Sequence, residues 1–119
     1  MRRFETGATR DVDDGKLDLE GFLSPLVLEA FGKYMHKHRI QTDGTLRDSD
    51  NWQKLFGEDH YNVCIKSAWR HFFAFWKAHR GYPTKETLED SAMALLFNIM
   101  AYMHKYLTVD NSPAKKKML

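Results

Sequence analysis

The stretch from Asn62 to His79, NVCIKSAWRHFFAFWKAH, constrains the fold more than any other part of the chain. Trp69, Phe72, Phe73, Phe75 and Trp76 place large rings on nearly every side of a helix, and such a helix persists in water only when other helices cover most of it. A buried central helix in an all-α bundle is therefore predicted. Within the aromatic coat, Ser67, Arg70, His71, Ala74 and Ala78 recur at three- and four-residue spacing and form one strip of small or polar side chains. Such a strip has two explanations: it admits a closely approaching neighbour, or it is the wall of a polar site.

The rest of the chain supplies the covering helices. At 119 residues a single domain is expected. Ser24 is a good N-cap and Pro25 suits the first helical position, which starts a helix over about residues 24–39 with a core stripe of Leu26, Val27, Ala30, Phe31, Tyr34 and Met35. Lys37, His38 and Arg39 in its last turn complement the helix dipole. The central helix spans about residues 59–80 and stops at Gly81, before Tyr82-Pro83. With Thr84 as cap, a third helix over about residues 85–107 turns Leu88, Ala92, Leu95, Leu96, Ile99, Met100 and Met103 to the core. It carries a second small-and-polar strip, Thr87, Asp90, Ser91, Ala94, Asn98, Ala101 and Lys105; if the strips face each other, Arg70 and His71 come near Asp90 and Asn98. Between the first two helices, Asp43-Gly44 and Ser49-Asp50-Asn51 give turn chemistry, and Trp52, Leu55 and Phe56 anchor an ordered loop that presents Arg47, Asp48, Asp50, Asn51 and Lys54. Residues 1–20 read as an extended polar arm, 21–107 as the helical core, and 108–119 as a flexible basic tail containing Lys115, Lys116 and Lys117.

Composition narrows the function classes. Eighteen basic against 16 acidic side chains leave a net charge of +2, too little to point to DNA, RNA or an anionic membrane. There is no apolar run of about 20 residues and no secretory h-region. Cys64 is the only cysteine, which favours a reducing compartment such as the cytoplasm. Phosphate-binding loops, nucleophile elbows, paired CxxC and HExxH are all absent. Glu86, Glu89 and Asp90 share the first turns of the third helix, where carboxylates complement the dipole and also suit a hard cation such as Mg²⁺. His71, His79 and His104 offer a second metal constellation, without an adjacent His-Asp pair.

The run LDLEGFLSPLVLEAFGKYMHKHR, followed by DNWQK, SAWRHFFAFWKAHRG and LEDSAMALLFNIMAYMHKYL, resembles a phage and bacterial family. It is described as dATP/dGTP diphosphohydrolase, N-terminal domain, related to the MazG-like nucleotide pyrophosphohydrolases. The resemblance covers roughly Lys16 to Leu107 and centres on Asn51-Trp52, Arg70-His71 and the acidic start leading to Asn98. It implies a homodimer or higher homo-oligomer, in the host cytoplasm if phage-encoded. The implied reaction cleaves a deoxynucleoside triphosphate, of purine type, to monophosphate and pyrophosphate with Mg²⁺ or Mn²⁺. On that reading Glu89 and Asp90 hold the metal with Glu86 peripheral, Arg70 donates to a phosphate oxygen, and His71 orients a water or carboxylate. Asn51 and Asn98 read a base edge or sugar hydroxyl, Trp52 stacks on the base or anchors the loop, and Lys16 and Asp18 join the substrate set. The carboxylates only approximate the family's EExxE and ExxD patterns: Met93 stands where an aspartate would, and Leu55 where a glycine commonly follows the tryptophan motif. The alternative is a catalytically inactive nucleotide-binding or host-protein-binding module of the same fold.

Overall fold

The structure is a computed structural model that describes residues 2–3, 5–7, 9–10 and 15–110. The Asp11, Asp13, Asp14 cluster and the basic tail from residue 111 onward lie outside the described residues. Two short strands, β1 (Arg2–Arg3) and β2 (Thr9–Arg10), pair antiparallel. They precede a one-turn helix α1 (Leu19–Phe22) and the three main helices α2 (Pro25–Lys37), α3 (His60–His79) and α4 (Leu88–Lys105). A π-helical turn, Tyr106–Asp110, extends α4.

Local chemistry sets these boundaries. The Ser24 hydroxyl accepts the Val27 N–H at 3.2 Å and Pro25 opens α2. Past the end of α3, Gly81 adopts a φ of 84°, the Gly81 N–H reaches the Ala78 carbonyl and the Tyr82 N–H that of Lys77. This is the paired bonding that closes a helix on a left-handed residue. The start of α4 departs from expectation: Thr87 caps it, accepting the Asp90 N–H at 3.1 Å, whereas the Thr84 hydroxyl donates to the Glu86 carbonyl and holds the chain in a bend until residue 87. The loop after α2 is ordered as a small hairpin, with Ile40 bridging Leu46 and the Asp43 carboxylate accepting from both the N–H and the hydroxyl of Thr45. A 3₁₀ turn, Asn51–Lys54, completes it.

α3 and α4 form an antiparallel hairpin and make the most extensive packing in the molecule, with α2 lying more lightly against α4. The direction is fixed by His60 at the start of α3, whose Nε2 lies 2.8 Å from the carbonyl of Ala101 near the end of α4. The buried side chains are His60 and Cys64 on α3, and Ser91, Met93, Ala94, Asn98 and Ala101 on α4. On α4 this is the small-and-polar strip with Met93 added. Its polar members are satisfied within their own helix, Ser91 Oγ donating to Thr87 O at 3.0 Å and Asn98 Nδ2 to Ala94 O at 2.8 Å, which removes most of the cost of burying them.

Many of the large apolar side chains are more exposed than the sequence predicts, whereas Phe31, Phe75, Leu95 and Met100 are half-buried. In the isolated chain the central helix is not covered on all sides: Trp69 is 69% exposed and Phe73 51%. Leu88, Leu96, Ile99 and Met103, assigned to the core by periodicity, are exposed as well, and the α2 stripe is half-buried only from Ala30 onward, leaving Leu26 and Val27 in solvent. The reason is geometric. Two helices packed through small residues approach closely along that seam, and a side chain roughly a third of a turn or more away then points outward.

Candidate functional site

The polar residues predicted from sequence divide into three groups. The first gathers where the end of α2 meets the start of α4. Lys37 Nζ donates to both oxygens of Asp90, at 2.8 and 2.9 Å, across 53 residues of sequence. His71 Nδ1 lies 2.9 and 3.0 Å from the two oxygens of Glu86, so the ring donates to that carboxylate. Glu89 is exposed on the same turn as Asp90. The phenol of Tyr34 faces this group: burial, and then the nearby Glu86 and Asp90 charges, push its pKa up. A concavity of about 290 Å³ runs here between α2 and α4, lined by Lys33, Tyr34, Lys37, Glu89 and Asp90 among others.

The second group belongs to a cavity of about 240 Å³ between the end of α2 and the 3₁₀ turn. Asn51 and Trp52 line it together with Tyr34, Phe56 and Phe97, and its rim carries His38, Arg39, Arg47 and Asp48. Backbone pairing builds this rim. Arg47 N–H donates to Arg39 O at 2.8 Å and Arg39 Nε donates to Arg47 O at 2.7 Å, while Arg47 Nη1 reaches His38 O at 3.5 Å, so backbone carbonyls hold both arginines in the cavity lining. Trp52 is held edge-on to His104 and Phe97, with ring centres 4.9 and 6.4 Å away. Loop anchor and cavity wall are thus one role for this side chain. Tyr34 lines this cavity and the acidic concavity alike, so the two adjoin across one ring.

The third group is dispersed. Arg70 is exposed, and its Nη2 donates to Ser67 Oγ at 3.1 Å rather than to a carboxylate of α4. Asn98 is only 6% exposed and lies in the α3–α4 seam, away from both concavities. The Asp18 carboxylate caps α1 by accepting the Gly21 N–H at 3.1 Å, and it folds so tightly over Gly21 that a Cβ there would stand 2.6 Å from its Oδ2. Lys16 is exposed. The expected approach of the two strips therefore brings His71 to Glu86, while Asp90 takes its partner from α2.

As arranged, the carboxylates do not fit a divalent cation. Both oxygens of Asp90 face an ammonium and both oxygens of Glu86 face an imidazole, whereas Mg²⁺ needs oxygen ligands converging at about 2.0–2.1 Å. Among the described residues no three His, Cys, Asp or Glu side chains come together as a metal site. Cys64 is a buried structural thiol, pushed up in pKa by desolvation. No helix among the described residues is long and apolar enough to cross a membrane.

The sequence reads Lys37 and Arg39 as helix-terminating charges, and their place in the site comes from contacts that no local pattern encodes. Phe97 gives no signal at all, since only the packing of the 3₁₀ turn on α4 brings it to the cavity. Comparison with models of protein families, with curated proteins and with solved structures finds no match to this chain.

Proposed function

We propose that this protein binds a deoxynucleoside triphosphate across the two adjoining concavities, and that its reaction is cleavage to the monophosphate and pyrophosphate. The observation that supports this reading is the cavity whose lining unites Asn51 and Trp52 with Arg39 and Arg47. At about 240 Å³ it lies just under the roughly 300–1,000 Å³ usual for small-molecule sites. It therefore takes the base and part of the sugar, and leaves the phosphates outside. Aromatic and apolar walls suit a base, the Asn51 amide offers both a donor and an acceptor to its edge, and planar forks suit phosphate oxygens. From the Tyr34 wall the phosphates can run toward Lys33 and Lys37, which line the second concavity.

A second reading, a nucleotide-binding module without turnover, is favoured by the ion pairs that occupy Asp90 and Glu86. The pairs are half-exposed, and such pairs contribute only about 0–1 kcal/mol each. Their exchange for other partners is energetically minor, which keeps both readings within reach of one experiment.

Calorimetry with each common nucleoside triphosphate gives binding, and chromatography with a pyrophosphate assay in Mg²⁺ or Mn²⁺ gives turnover. Saturable binding of a purine deoxynucleoside triphosphate is expected, weakened about 10- to 100-fold by Arg47→Ala through loss of a charge-assisted hydrogen bond. Pyrophosphate release abolished by Asp90→Asn with the helical signal intact supports the hydrolase, and binding alone supports the module. No binding of any nucleotide overturns both.

A further inference from the structure

We propose that the outer face of the α3–α4 hairpin seats this protein on an anionic lipid surface, with Trp69, Phe73 and Trp76 entering the interfacial layer and Lys66, Arg70, Lys77 and Arg80 meeting the headgroups. These cations and rings recur at three- and four-residue spacing from residue 66 to residue 80, on the side of α3 turned away from the buried Cys64. The whole-chain charge of +2 averages over a segregated surface: from His60 to Arg80 there is no aspartate or glutamate, and from Ser91 to Met103 α4 carries no charged side chain. Among the described residues none of the four cations has a carboxylate partner, and Arg70 donates to the Ser67 hydroxyl instead.

Rings and aliphatic side chains form one surface beside these charges. Ile65 is 57% exposed and Trp76 44%, and two shallow concavities that meet at Ile65 and Ala68 carry the apolar surface across to Leu95, Ile99 and Met103 of α4. A contiguous apolar patch of this kind marks an interaction site, and the cations call for an anionic partner. Two such partners compete, a single-stranded nucleic acid and a bilayer surface, and the geometry favours the bilayer. Bases stack on ring faces. Here one face of each ring is already taken, by Lys77 Nζ 5.9 Å from the centre of Phe73, by the Arg80 guanidinium 5.5 Å from that of Trp76, and by Phe72 lying nearly parallel to Trp69 at 6.0 Å. Ile65, Ile99 and Met103 give a base nothing to stack on, whereas the boundary between headgroups and acyl chains takes aliphatic and aromatic side chains alike. Tryptophan suits that layer, because its N–H stays among the headgroups while the rest of the ring is apolar.

This face shares no residue with either concavity of the nucleotide reading, so the two proposals stand or fall separately. Cosedimentation of the full-length protein with vesicles of phosphatidylcholine and phosphatidylserine in equal parts is expected to saturate, to weaken as salt is raised, and to vanish with phosphatidylcholine alone. Equal binding to both vesicles, or none to either, overturns the proposal. Lys66→Gln, Lys77→Gln and Arg80→Gln together should weaken binding roughly 100-fold, about five-fold per charge. Lys115→Gln, Lys116→Gln and Lys117→Gln together test the basic tail: binding lost in that variant and kept in the first overturns the assigned face. Hydroxyl-radical footprinting of the wild-type protein needs no variant to fold. Anionic vesicles should slow modification of Trp69 and Phe73 several-fold and leave exposed Phe22 unchanged. The same two residues unprotected in vesicle-bound protein, protected by a second copy without vesicles, or protected by a single-stranded oligonucleotide in place of vesicles, overturn the proposal.

Discussion

Leu55 has φ 70° and ψ 171°, a backbone region that glycine enters freely and a Cβ makes costly. It follows the 3₁₀ turn that carries Asn51 and Trp52. Replacing it by alanine and by glycine separates the backbone from the side chain. Both variants lose the contacts of the half-buried leucine side chain beyond Cβ, but only glycine releases the strain. A non-glycine residue in such a region stores about 1–3 kcal/mol, and glycine elsewhere is less stable than alanine by about 0.5–1 kcal/mol through its greater freedom in the unfolded chain. The balance makes Leu55→Gly more stable than Leu55→Ala by roughly 1 kcal/mol, the reverse of the usual order. Urea unfolding of the two variants at one protein concentration, followed by helical circular dichroism, measures the difference. Equal stability, or the alanine variant ahead, refutes the backbone reading.

Two further outcomes follow from buried groups. His60 Nδ1 accepts the Phe56 N–H at 3.1 Å, its Nε2 donates to Ala101 O at 2.8 Å and its ring stacks on Phe56; His60→Ala should cost about 3–5 kcal/mol by removing a buried bond to the Ala101 carbonyl and a part-buried one to the Phe56 N–H, and by leaving a cavity. His60→Gln, which retains a donor, should recover part of this in urea unfolding, and a loss below about 1 kcal/mol for the alanine variant would show that these bonds do not tie α3 to α4. Burial pushes the Cys64 thiol above its ordinary 9.0, so native protein at pH 8 should react with iodoacetamide at least ten-fold more slowly than protein in urea. Because the folded value is the higher one, the unfolded chain loses its proton first as pH rises: the contribution is complete below the ordinary value and stability falls above it. Equal alkylation rates in the two states would disprove the buried environment.

Helix positions were legible because caps are local chemistry. Ser24-Pro25 and Gly81 act on groups within five residues, and each predicted boundary lies within three residues of the observed one, the widest miss falling at the start of α4, where Thr87 caps in place of the expected Thr84. Which face of α4 would be buried was not legible. Its large-residue stripe through Leu88 and Ile99 and its small-residue strip through Ser91 and Asn98 are both helical in period, and period identifies faces without assigning them partners. The arm shows a similar limit: Asp18 capping α1 and the two-residue pairing of β1 with β2 depend on too few residues to leave a periodic trace. At the candidate site, Trp52 was visible as a loop anchor and Asn51 as a polar residue that the loop presents, whereas Lys37 reaches Asp90 across 53 residues and Phe97 joins the cavity only through packing.

The face that α3 turns toward α4 changes character along its length. Toward the start of α3, Cys64 and the His60–Ala101 bond lie in a dry seam where every polar atom has a fixed partner, and changes there cost stability first. Seven residues along from Cys64, this face arrives at His71, half-exposed beside Glu86, where the connection between α3 and α4 and the end of α2 leave room for solvent. This face is therefore buried and fully hydrogen-bonded at one end, and charged and part-exposed at the other. Surface pairs such as Lys37–Asp90 contribute so little to folding that their residues are free to answer to a ligand, and Asp90→Asn can alter binding in a chain that stays folded. The close-packed end fixes the frame against which such a change can be read.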